Sequence, residues 1–289
     1  MDAAVSRAAA ASRVRRAAAR TVAVLQRLWW SLRGGRRVTI FRQLIDLAPG
    51  TVFPLSRRFP LPSGESRSRI VGYGDFVQMH AAVRHLEACL EPPVVVDVGA
   101  HHGAYAVTLG KIVQSRGGTV LALEPNPESF AVLVENVRRN GLTATVRCEM
   151  LAAGEGSARK NLVRDGSQSR LTIGGEPGAG AVDVVALGPL LAASGLRRVD
   201  LLLIDVEGAE LLVLRGFPWG EIPVAMALCE MHPYAWKDFG YDGETMAGYL
   251  RERGLRCLDM YLREHRTFAH EGYLGPTLLL AKGARDPRP

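Results

Sequence analysis

The sequence predicts an α/β fold in which a mostly parallel sheet is covered by helices on both faces. From residue 94 onward, short apolar runs alternate with segments whose apolar residues recur at helical spacing. Strands that are apolar throughout are typical of a sheet buried on both sides. The chain has 289 residues, of which 47% are hydrophobic, so it is long enough to bury such a core.

The first 72 residues differ in composition and predict a basic extension ahead of a globular domain at 73–285. Residues 1–70 hold fourteen Arg, no Lys and three acids, or about +11, whereas the whole chain carries +7. A helix is compatible with residues 5–32 and ends before Gly34 and Gly35. Residues 49–72 contain four Pro and are expected to be irregular.

The role of the predicted helix at 5–32 is open between several alternatives. Its Trp29 and Trp30 beside many Arg suit peripheral contact with an anionic membrane. Packing on the domain, assembly or lack of fixed structure suit it equally, and the oligomeric state stays open. No apolar run reaches the ~18 residues of a spanning helix and no secretory signal is recognisable, so we expect a cytoplasmic location. Because the excess of Arg is confined to this arm, we expect no nucleic-acid partner.

The predicted elements follow one another in a regular order. A first helix fits residues 75–90, with apolar side chains on one face, and Pro92 and Pro93 close it. Short apolar runs bounded by turn residues predict strands at 94–98, 119–123, 143–151, 182–187, 200–204, 224–229, 255–262 and 277–281. Helices are predicted between them at 104–114, 127–139, 207–215 and 242–253. The Gly-rich stretch 154–181 is expected to be a loop that shapes a substrate pocket.

The loop after the first of these strands carries Asp97, Gly99 and Gly103, a DxGxxxG pattern. Its glycines let the backbone turn tightly and approach a ligand closely, while the next helix points its amide groups into the cleft. A carboxylate at the strand end binds an ammonium group well but repels a pyrophosphate. The pattern therefore favours a ligand with a cationic amino-acid group over a dinucleotide, although a purely structural turn is the alternative.

An acidic residue, Glu124, ends the second strand, 27 residues after Asp97. A carboxylate in this position is placed to accept hydrogen bonds from both hydroxyl groups of a ribose. A solvated or helix-capping carboxylate is the alternative for Glu124 alone. Taken together, the two acids predict a cofactor that combines a ribose with an amino-acid group.

Two later strand ends carry further chemistry. Asp205 follows one strand and is expected to orient a substrate or to act as a general base. Glu230 and His232 lie two residues apart, hence on the same side of an extended segment, and an imidazole can take a proton from a hydroxyl near neutral pH. A structural histidine, or a divalent metal bridging all three side chains, are the alternatives. We expect no metal.

These strand ends resemble those of the FkbM family of class I, S-adenosylmethionine-dependent O-methyltransferases. The similar motifs are DVGAxxG, LEPNP, IDVEGAE and ExHP, within residues 94–280. The resemblance implies a Rossmann-like class I methyltransferase fold of seven strands, the last one antiparallel. It also implies a hydroxyl acceptor on a sugar, a glycan or a polyketide-like natural product.

The resemblance implies S-adenosylmethionine as cofactor, with the first loop holding its methionine part, Glu124 its ribose, and residues 151–153 its adenine. The expected cofactor-binding residues are Asp97, Gly99, Ala100, His101, Gly103, Glu124, Asn126, Ala152 and Asp205. The expected catalytic residues are Asp205 or His232 as base, with Glu230 orienting His232.

Three positions depart from the family's pattern. His101 replaces the usual Asn, Leu203 a frequent Lys, and Gly188 a frequent Asp. The last two keep open an alternative function, a non-catalytic cofactor-binding or scaffold domain with a membrane-surface helix. A nicotinamide-dependent oxidoreductase is disfavoured because the third glycine of its motif is absent and Asp97 would face the pyrophosphate.

Overall fold

The computed structural model describes residues 32, 36–40, 43–49, 73–163, 169–172, 174, 176–259, 261–268 and 274–281. The predicted helix at 5–32 lies outside the described residues except for Leu32, which is helical, and so does nearly all of the predicted irregular stretch at 49–72. Among the described helices, none combines the length and the apolar character needed to cross a membrane.

The described chain alternates strands and helices as the sequence predicts. Its strands are β1 (Arg36–Ile40), β2 (Gln43–Leu47), β3 (Val94–Val98), β4 (Thr119–Leu123), β5 (Val146–Glu149), β6 (Ala152–Ala153), β7 (Ala158–Val163), β8 (Arg170–Leu171), β9 (Ala181–Val185), β10 (Val199–Ile204), β11 (Val224–Met231), β12 (Leu255–Asp259), β13 (Glu264–His265) and β14 (Gly275–Ala281). Its α-helices are α1 (Tyr73–Ala88), α2 (Ala104–Ser115), α3 (Pro127–Arg139), α4 (Leu187–Ala193), α5 (Glu210–Gly216) and α6 (Gly243–Glu252), with a 3-10 helix at Pro233–Phe239.

The central sheet has the order β13-β12-β14-β11-β10-β3-β4-β5. Strands β11, β10, β3, β4 and β5 pair in parallel, whereas β14 is antiparallel to both of its neighbours. The prediction of a mostly parallel sheet with an antiparallel last strand is confirmed, and the α/β fold class with it. The number of strands is eight rather than the expected seven.

The additional strand arises at a turn after β12. The Asp259 carboxylate accepts hydrogen bonds from the backbone N–H groups of Tyr261 and Arg263, at 2.9 and 3.0 Å. This turn ends the predicted strand 255–262 at Asp259 and folds the chain back to pair β13 with β12. A two-residue strand leaves no alternating pattern in the sequence, so it was not predicted.

Both faces of the sheet are buried, as the apolar strands predict. Along β3, Val95 packs into one apolar cluster with α1, α2 and α3, while Val96 and Val98 pack into a second cluster on the opposite face. The second cluster also contains buried side chains from α4, α5, α6 and the 3-10 helix. Consecutive residues of a strand point to opposite faces, so every position of β3 must be compatible with burial.

Strand β2 lies in the predicted extension but packs into the domain. Ile45 and Leu47 are fully buried in the cluster that contains α2 and α3. The side-chain amides of two asparagines, one in α3 and one just after it, bind the backbone in and next to β2. The Asp46 N–H donates to Asn140 Oδ1 at 3.1 Å, and the Ala48 N–H donates to Asn136 Oδ1 at 2.6 Å. The division into an extension at 1–72 and a domain at 73–285 therefore stays a proposal based on composition.

A second, smaller sheet covers one end of the central one. Its order is β6-β9-β7-β8, with β6 parallel to β9 and β7 antiparallel to both of its neighbours. Leu162 and Leu171 pack against buried Val182 and Val184, which gives this sheet its own small apolar cluster. The expectation that 154–181 is only a loop was wrong, because β7 and β8 lie within it. The strand predicted at 143–151 is shorter in the structure, where β5 covers Val146–Glu149, and β6 begins just beyond its predicted end.

Candidate active site

A cavity of about 320 Å³ opens at the carboxyl ends of β3, β4, β10 and β11, where an open α/β sheet places its ligands. It brings together seven of the residues predicted from the sequence. These lining residues are Gly99, Ala100, His101, Glu124, Ala152, Asp205 and Glu230. Four other predicted residues, Asp97, Gly103, Asn126 and His232, are buried and are not among those that line it.

The loop after β3 is joined to the end of β10 through Gly99. At this position φ is +87°, and a Cβ would lie 1.8 Å from the carbonyl oxygen of Asp205. The Asp205 N–H donates to the Val98 carbonyl at 2.9 Å, so the two strand ends hold each other from both directions. Only glycine combines this φ with so close a backbone contact. The position of Asp205 is therefore fixed relative to the loop.

The Glu124 carboxylate connects two loops beneath the cavity. Its Oε2 accepts the backbone N–H of His101 at 2.7 Å and its Oε1 that of Asn126 at 2.8 Å. Burial raises the pKa of Glu124 to about 7, against the lowering effect of these two hydrogen bonds. Because a carboxylate oxygen has a second lone pair, each oxygen keeps one for the hydroxyl group of a ligand.

One carboxylate oxygen of Asp97 is buried and has no hydrogen-bond partner in the part of the chain that the structure describes. The residue is only 4% exposed, and within the described residues no hydrogen-bond donor reaches its Oδ2, although the Ala106 N–H donates to the carboxylate. Burial and, second, the charge of Glu124 raise the pKa of Asp97 to about 7. A buried acceptor without a partner is costly, so this atom suits a cationic donor from a ligand. Leu203, its register partner on β10, is apolar and supplies none.

Gly103 and Asn126 support the cavity rather than line it. Gly103 precedes α2 with φ +85°, and a Cβ there would lie 2.7 Å from the Leu133 side chain, so it permits close packing of α2 on α3. Asn126 caps α3 by accepting the Glu128 N–H at 2.9 Å, and its Nδ2 donates to Ser169 Oγ at 2.9 Å. Both residues thus fix loops that surround the site.

His232 lies at the centre of a carboxylate cluster beside the cavity. Its Nδ1 is 2.8 Å from Glu210 Oε1, whereas its Nε2 is 3.5 Å from Glu207 and 3.9 Å from both Asp205 and Glu230. The structure therefore places Glu210, rather than the predicted Glu230, in hydrogen-bond contact with His232. Glu230, near the end of β11, lines the cavity.

The cluster sets opposite proton affinities on its members. Burial lowers the pKa of His232, but the hydrogen bond and charge of Glu210, with the charges of Asp205 and Glu207, raise it to about 9. A pKa near 9 favours the imidazolium form of His232 near neutral pH, which has no lone pair to accept a proton, so Asp205 is the better candidate of the two expected bases. Loss of solvation and the charge of Glu230 raise the pKa of Asp205 well above its usual range, although its side chain is 47% exposed at the mouth.

Asp205, Glu207 and His232 are also close enough to bind one cation. One ligand atom from each lies within 4.8 Å of the others. An imidazolium, however, has no lone pair at Nε2 with which to bind a metal. A cation bound here would have to displace that proton, and the expectation of no metal stays a prediction.

Several lining residues were not assigned to the site from the sequence. Tyr105 comes from α2, and Ser169, Arg170 and Leu171 come from β8 and its approach. Arg170 also pairs with Asp238 at 3.2 Å, which links β8 to the 3-10 helix. The alternation of apolar residues around Leu171 was the available signal, but it is too short to predict a strand. For buried Glu210 the sequence offers no signal beyond the motif itself.

Comparison with known proteins gives one family match and several distant structural similarities. Residues 97–257 match the Methyltransferase FkbM domain, which is more than half of the chain. No curated protein matches the sequence.

Three similar solved structures illustrate the distance. The Methyltransferase FkbM from Methylobacillus flagellatus KT has 15% identity and a TM-score of 0.42, over 65% of this chain and 43% of its own. The O-methyltransferase from Bacillus cereus in complex with SAH has 12% identity and a TM-score of 0.38, over 72% of this chain and 80% of its own. The SAM-dependent O-methyltransferase from Thermotoga maritima has 14% identity and a TM-score of 0.42, over 88% of this chain and 80% of its own.

At these values the structural similarities carry no argument, and the chain spans less than half of the length of the Methylobacillus protein. The domain match covers the strand ends that form the cavity and the carboxylate cluster. On that match, the chain belongs to the FkbM methyltransferase family, whose members use S-adenosylmethionine as their cofactor.

Proposed function

We propose that this protein transfers a methyl group from S-adenosylmethionine to a hydroxyl group of a small molecule, such as a sugar, a glycan or a polyketide-like natural product. The observation that carries the proposal is the position of Asp205. Its carboxylate lies where the cavity meets the carboxylate cluster, and its backbone is held against the Gly99 loop. A general base is needed at this junction, between cofactor and acceptor.

The cavity residues fit the cofactor. The partnerless oxygen of Asp97 suits its ammonium group, directly or through water, and Glu124 keeps a lone pair on each oxygen for the ribose hydroxyls. Ala152, the first residue of β6, lines the part of the cavity where adenine is expected. When bound, S-adenosylmethionine supplies an electrophilic methyl group, and the protein has to align the acceptor and remove its proton.

Asp205 is the base that the electrostatics favour. Its raised pKa makes it more basic than an ordinary carboxylate, and nearly half of its side chain is open to an incoming acceptor. His232 is buried and already protonated, so its positive charge stabilises the carboxylates around it. Glu230 lines the cavity beside Asp205 and is placed to contact the acceptor.

The test is methyl transfer by Asp205→Asn, with Asp183→Asn as matched control because Asp183 is exposed on β9. We expect Asp205→Asn to lower kcat by roughly 100-fold or more, the usual loss for a general base. Calorimetry should show S-adenosylmethionine affinity within a few-fold of wild type, since the lost group removes a proton rather than anchors the cofactor. Near-normal kcat in Asp205→Asn would exclude Asp205 as base.

The acceptor class is tested by mass spectrometry of glycans and small metabolites incubated with the protein and cofactor. A gain of about 14 daltons at a hydroxyl group supports the proposal, since methylation replaces one hydrogen with a methyl group. Binding of S-adenosylmethionine with no methylated product in any hydroxyl-bearing pool would favour the non-catalytic alternative.

A further inference from the structure

We propose that Glu210 is a positioning residue of the active site, which holds the His232 ring so that Nε2–H is directed at Asp205 and Glu207. The inference rests on the proposed function, because it gives Glu210 a part in the work of Asp205. Glu210 itself does not line the cavity and acts through His232. In the sequence, Glu210 is distinguished only by its place in the IDVEGAE motif.

Glu210 is completely buried and surrounded by donors. Its Oε1 accepts the Gly208 N–H at 2.9 Å and lies 2.8 Å from His232 Nδ1. Its Oε2 accepts the Trp236 Nε1–H at 2.7 Å, while the Tyr241 hydroxyl, 3.3 Å away, donates its proton to the Gly208 carbonyl at 2.7 Å. With 0% of its surface exposed, such a carboxylate is stable only because these donors satisfy its lone pairs. The arrangement is that of an ionised acceptor.

An ionised Glu210 determines which ring nitrogen of His232 carries a proton. Because Oε1 can only accept, Nδ1 has to donate, and the ring is fixed with Nε2 on the opposite side. Charged and titratable groups of every neighbouring segment face the ring: Asp205 after β10, Glu207 in the turn before α5, Glu210 in α5, Glu230 in β11 and Tyr234 in the 3-10 helix. The Tyr234 hydroxyl is itself bound to Glu207, to which it donates at 2.9 Å.

The charge on His232 in turn controls Asp205. The charges of Glu230, Glu207 and Glu210 raise the pKa of Asp205, while the positive charge of His232 lowers it. Without the hydrogen bond and charge of Glu210, which are the largest of the raising causes, burial would lower the pKa of His232 against the remaining charges of Asp205 and Glu207. As the ring loses positive charge, the pKa of Asp205 would rise further, so less of Asp205 would be ionised and able to act as a base at neutral pH.

The experiment uses Glu210→Gln in two backgrounds. A glutamine retains an acceptor for Nδ1 but turns a donor NH₂ group toward the Trp236 Nε1–H, so the double variant Glu210→Gln/Trp236→Phe removes that conflict. Trp236→Phe alone is the matched control, because it deletes a donor to the same carboxylate and leaves the contact with His232 intact. Glu210→Asp keeps the negative charge but places it further from the His232 ring, because the aspartate side chain is one methylene shorter.

The primary readout is the NMR titration of the His232 ring, which needs no methyl transfer. We expect the pKa of His232 to fall by about one unit or more from about 9 in the double variant, to stay near 9 in Trp236→Phe, and to be intermediate in Glu210→Asp. In the full-length enzyme at neutral pH, kcat should fall at least tenfold in the double variant, and the KM for S-adenosylmethionine should stay within a few-fold of the wild-type value. In the pH–rate profile, the rise of kcat with pH should move to higher pH.

Two results overturn the inference. One is an unchanged His232 titration in the double variant; the other is a shifted titration with an unchanged pH–rate profile. Failure of the proposed function has a different signature: the wild-type protein would show the His232 titration but would methylate no hydroxyl acceptor.

Discussion

Replacement of Asp97 by asparagine is expected to weaken cofactor binding and, above neutral pH, to stabilise the cofactor-free protein. The wild-type carboxylate is buried, one of its oxygens has no donor among the described residues, and Glu124 repels its charge. Ionisation of Asp97 therefore opposes folding, whereas the same charge suits an ammonium group of the ligand. The substitution removes the unfavourable charge and the favourable ligand contact together.

The magnitude follows from the pKa of Asp97, which folding raises from 3.8 to about 7. For an acid with a raised folded pKa, the stabilisation is complete below the unfolded pKa and is lost as the pH rises through the folded one. Between pH 4.5 and pH 8 this linkage removes about 3 kcal/mol from the wild type and nothing from the variant. The unpartnered amide of asparagine costs about 1–3 kcal/mol at every pH.

The assay is urea unfolding of the cofactor-free protein at both pH values, with Asp183→Asn as exposed control. The free energy of unfolding of Asp97→Asn, relative to wild type, should rise by about 3 kcal/mol from the lower to the higher pH. Glu124 titrates in both proteins, so its contribution largely cancels. Calorimetry should show S-adenosylmethionine bound at least tenfold more weakly. A stability difference that does not vary with pH would refute the argument that Asp97 ionises in a buried, unpaired state.

Two further substitutions test the framework around the site. Gly99→Ala should lower the free energy of unfolding by about 3 kcal/mol or more and abolish S-adenosylmethionine binding, because its Cβ would meet the Asp205 carbonyl. The control is Gly117→Ala, which should cost only about 1 kcal/mol because Gly117 has a similar φ but open space around it. Equal losses of stability in thermal unfolding of the two variants would contradict the steric argument. Ile45→Ala should lower the free energy of unfolding by about 2–5 kcal/mol, because Ile45 is fully buried. Leu44→Ala should lower it by less than about 0.5 kcal/mol, because Leu44 is 59% exposed. A small loss of stability for Ile45→Ala in urea unfolding would show that β2 does not contribute to the core.

The parts of the molecule that local patterns determine were predictable from the sequence. Strand β4 and helix α3 have the predicted bounds, because an apolar run and an Asn–Pro start signal lie within the segments themselves. The acids that end β3 and β4 were predictable for a similar reason, because the carboxyl ends of parallel strands meet at the edge of an open sheet where ligands bind. The family resemblance added the cofactor and was confirmed by the domain match.

What the sequence did not reveal depends on contacts between distant segments. The helix predicted to begin at 207 begins at Glu210, because Glu207 adopts a left-handed φ of 50° and Gly208 a φ of 110°. This delayed start turns Glu210 inward to meet His232, 22 residues later. No propensity or periodicity encodes such a pairing. Glu230 lies 3.9 Å from His232 Nε2, and its role in orienting the ring stays a prediction.

The docking of β2 also affects the order in which the chain acquires its structure. Its backbone contacts lie 94 and 88 residues ahead of their partners, from Asp46 to Asn140 and from Ala48 to Asn136. During synthesis, β2 leaves the ribosome long before α3 exists, and its buried Ile45 and Leu47 have no surface to pack on until then. Contacts of this sequence separation form slowly because a long loop must close first. Completion of the first apolar cluster is therefore a late folding event, which closes the domain over a helix that has already formed.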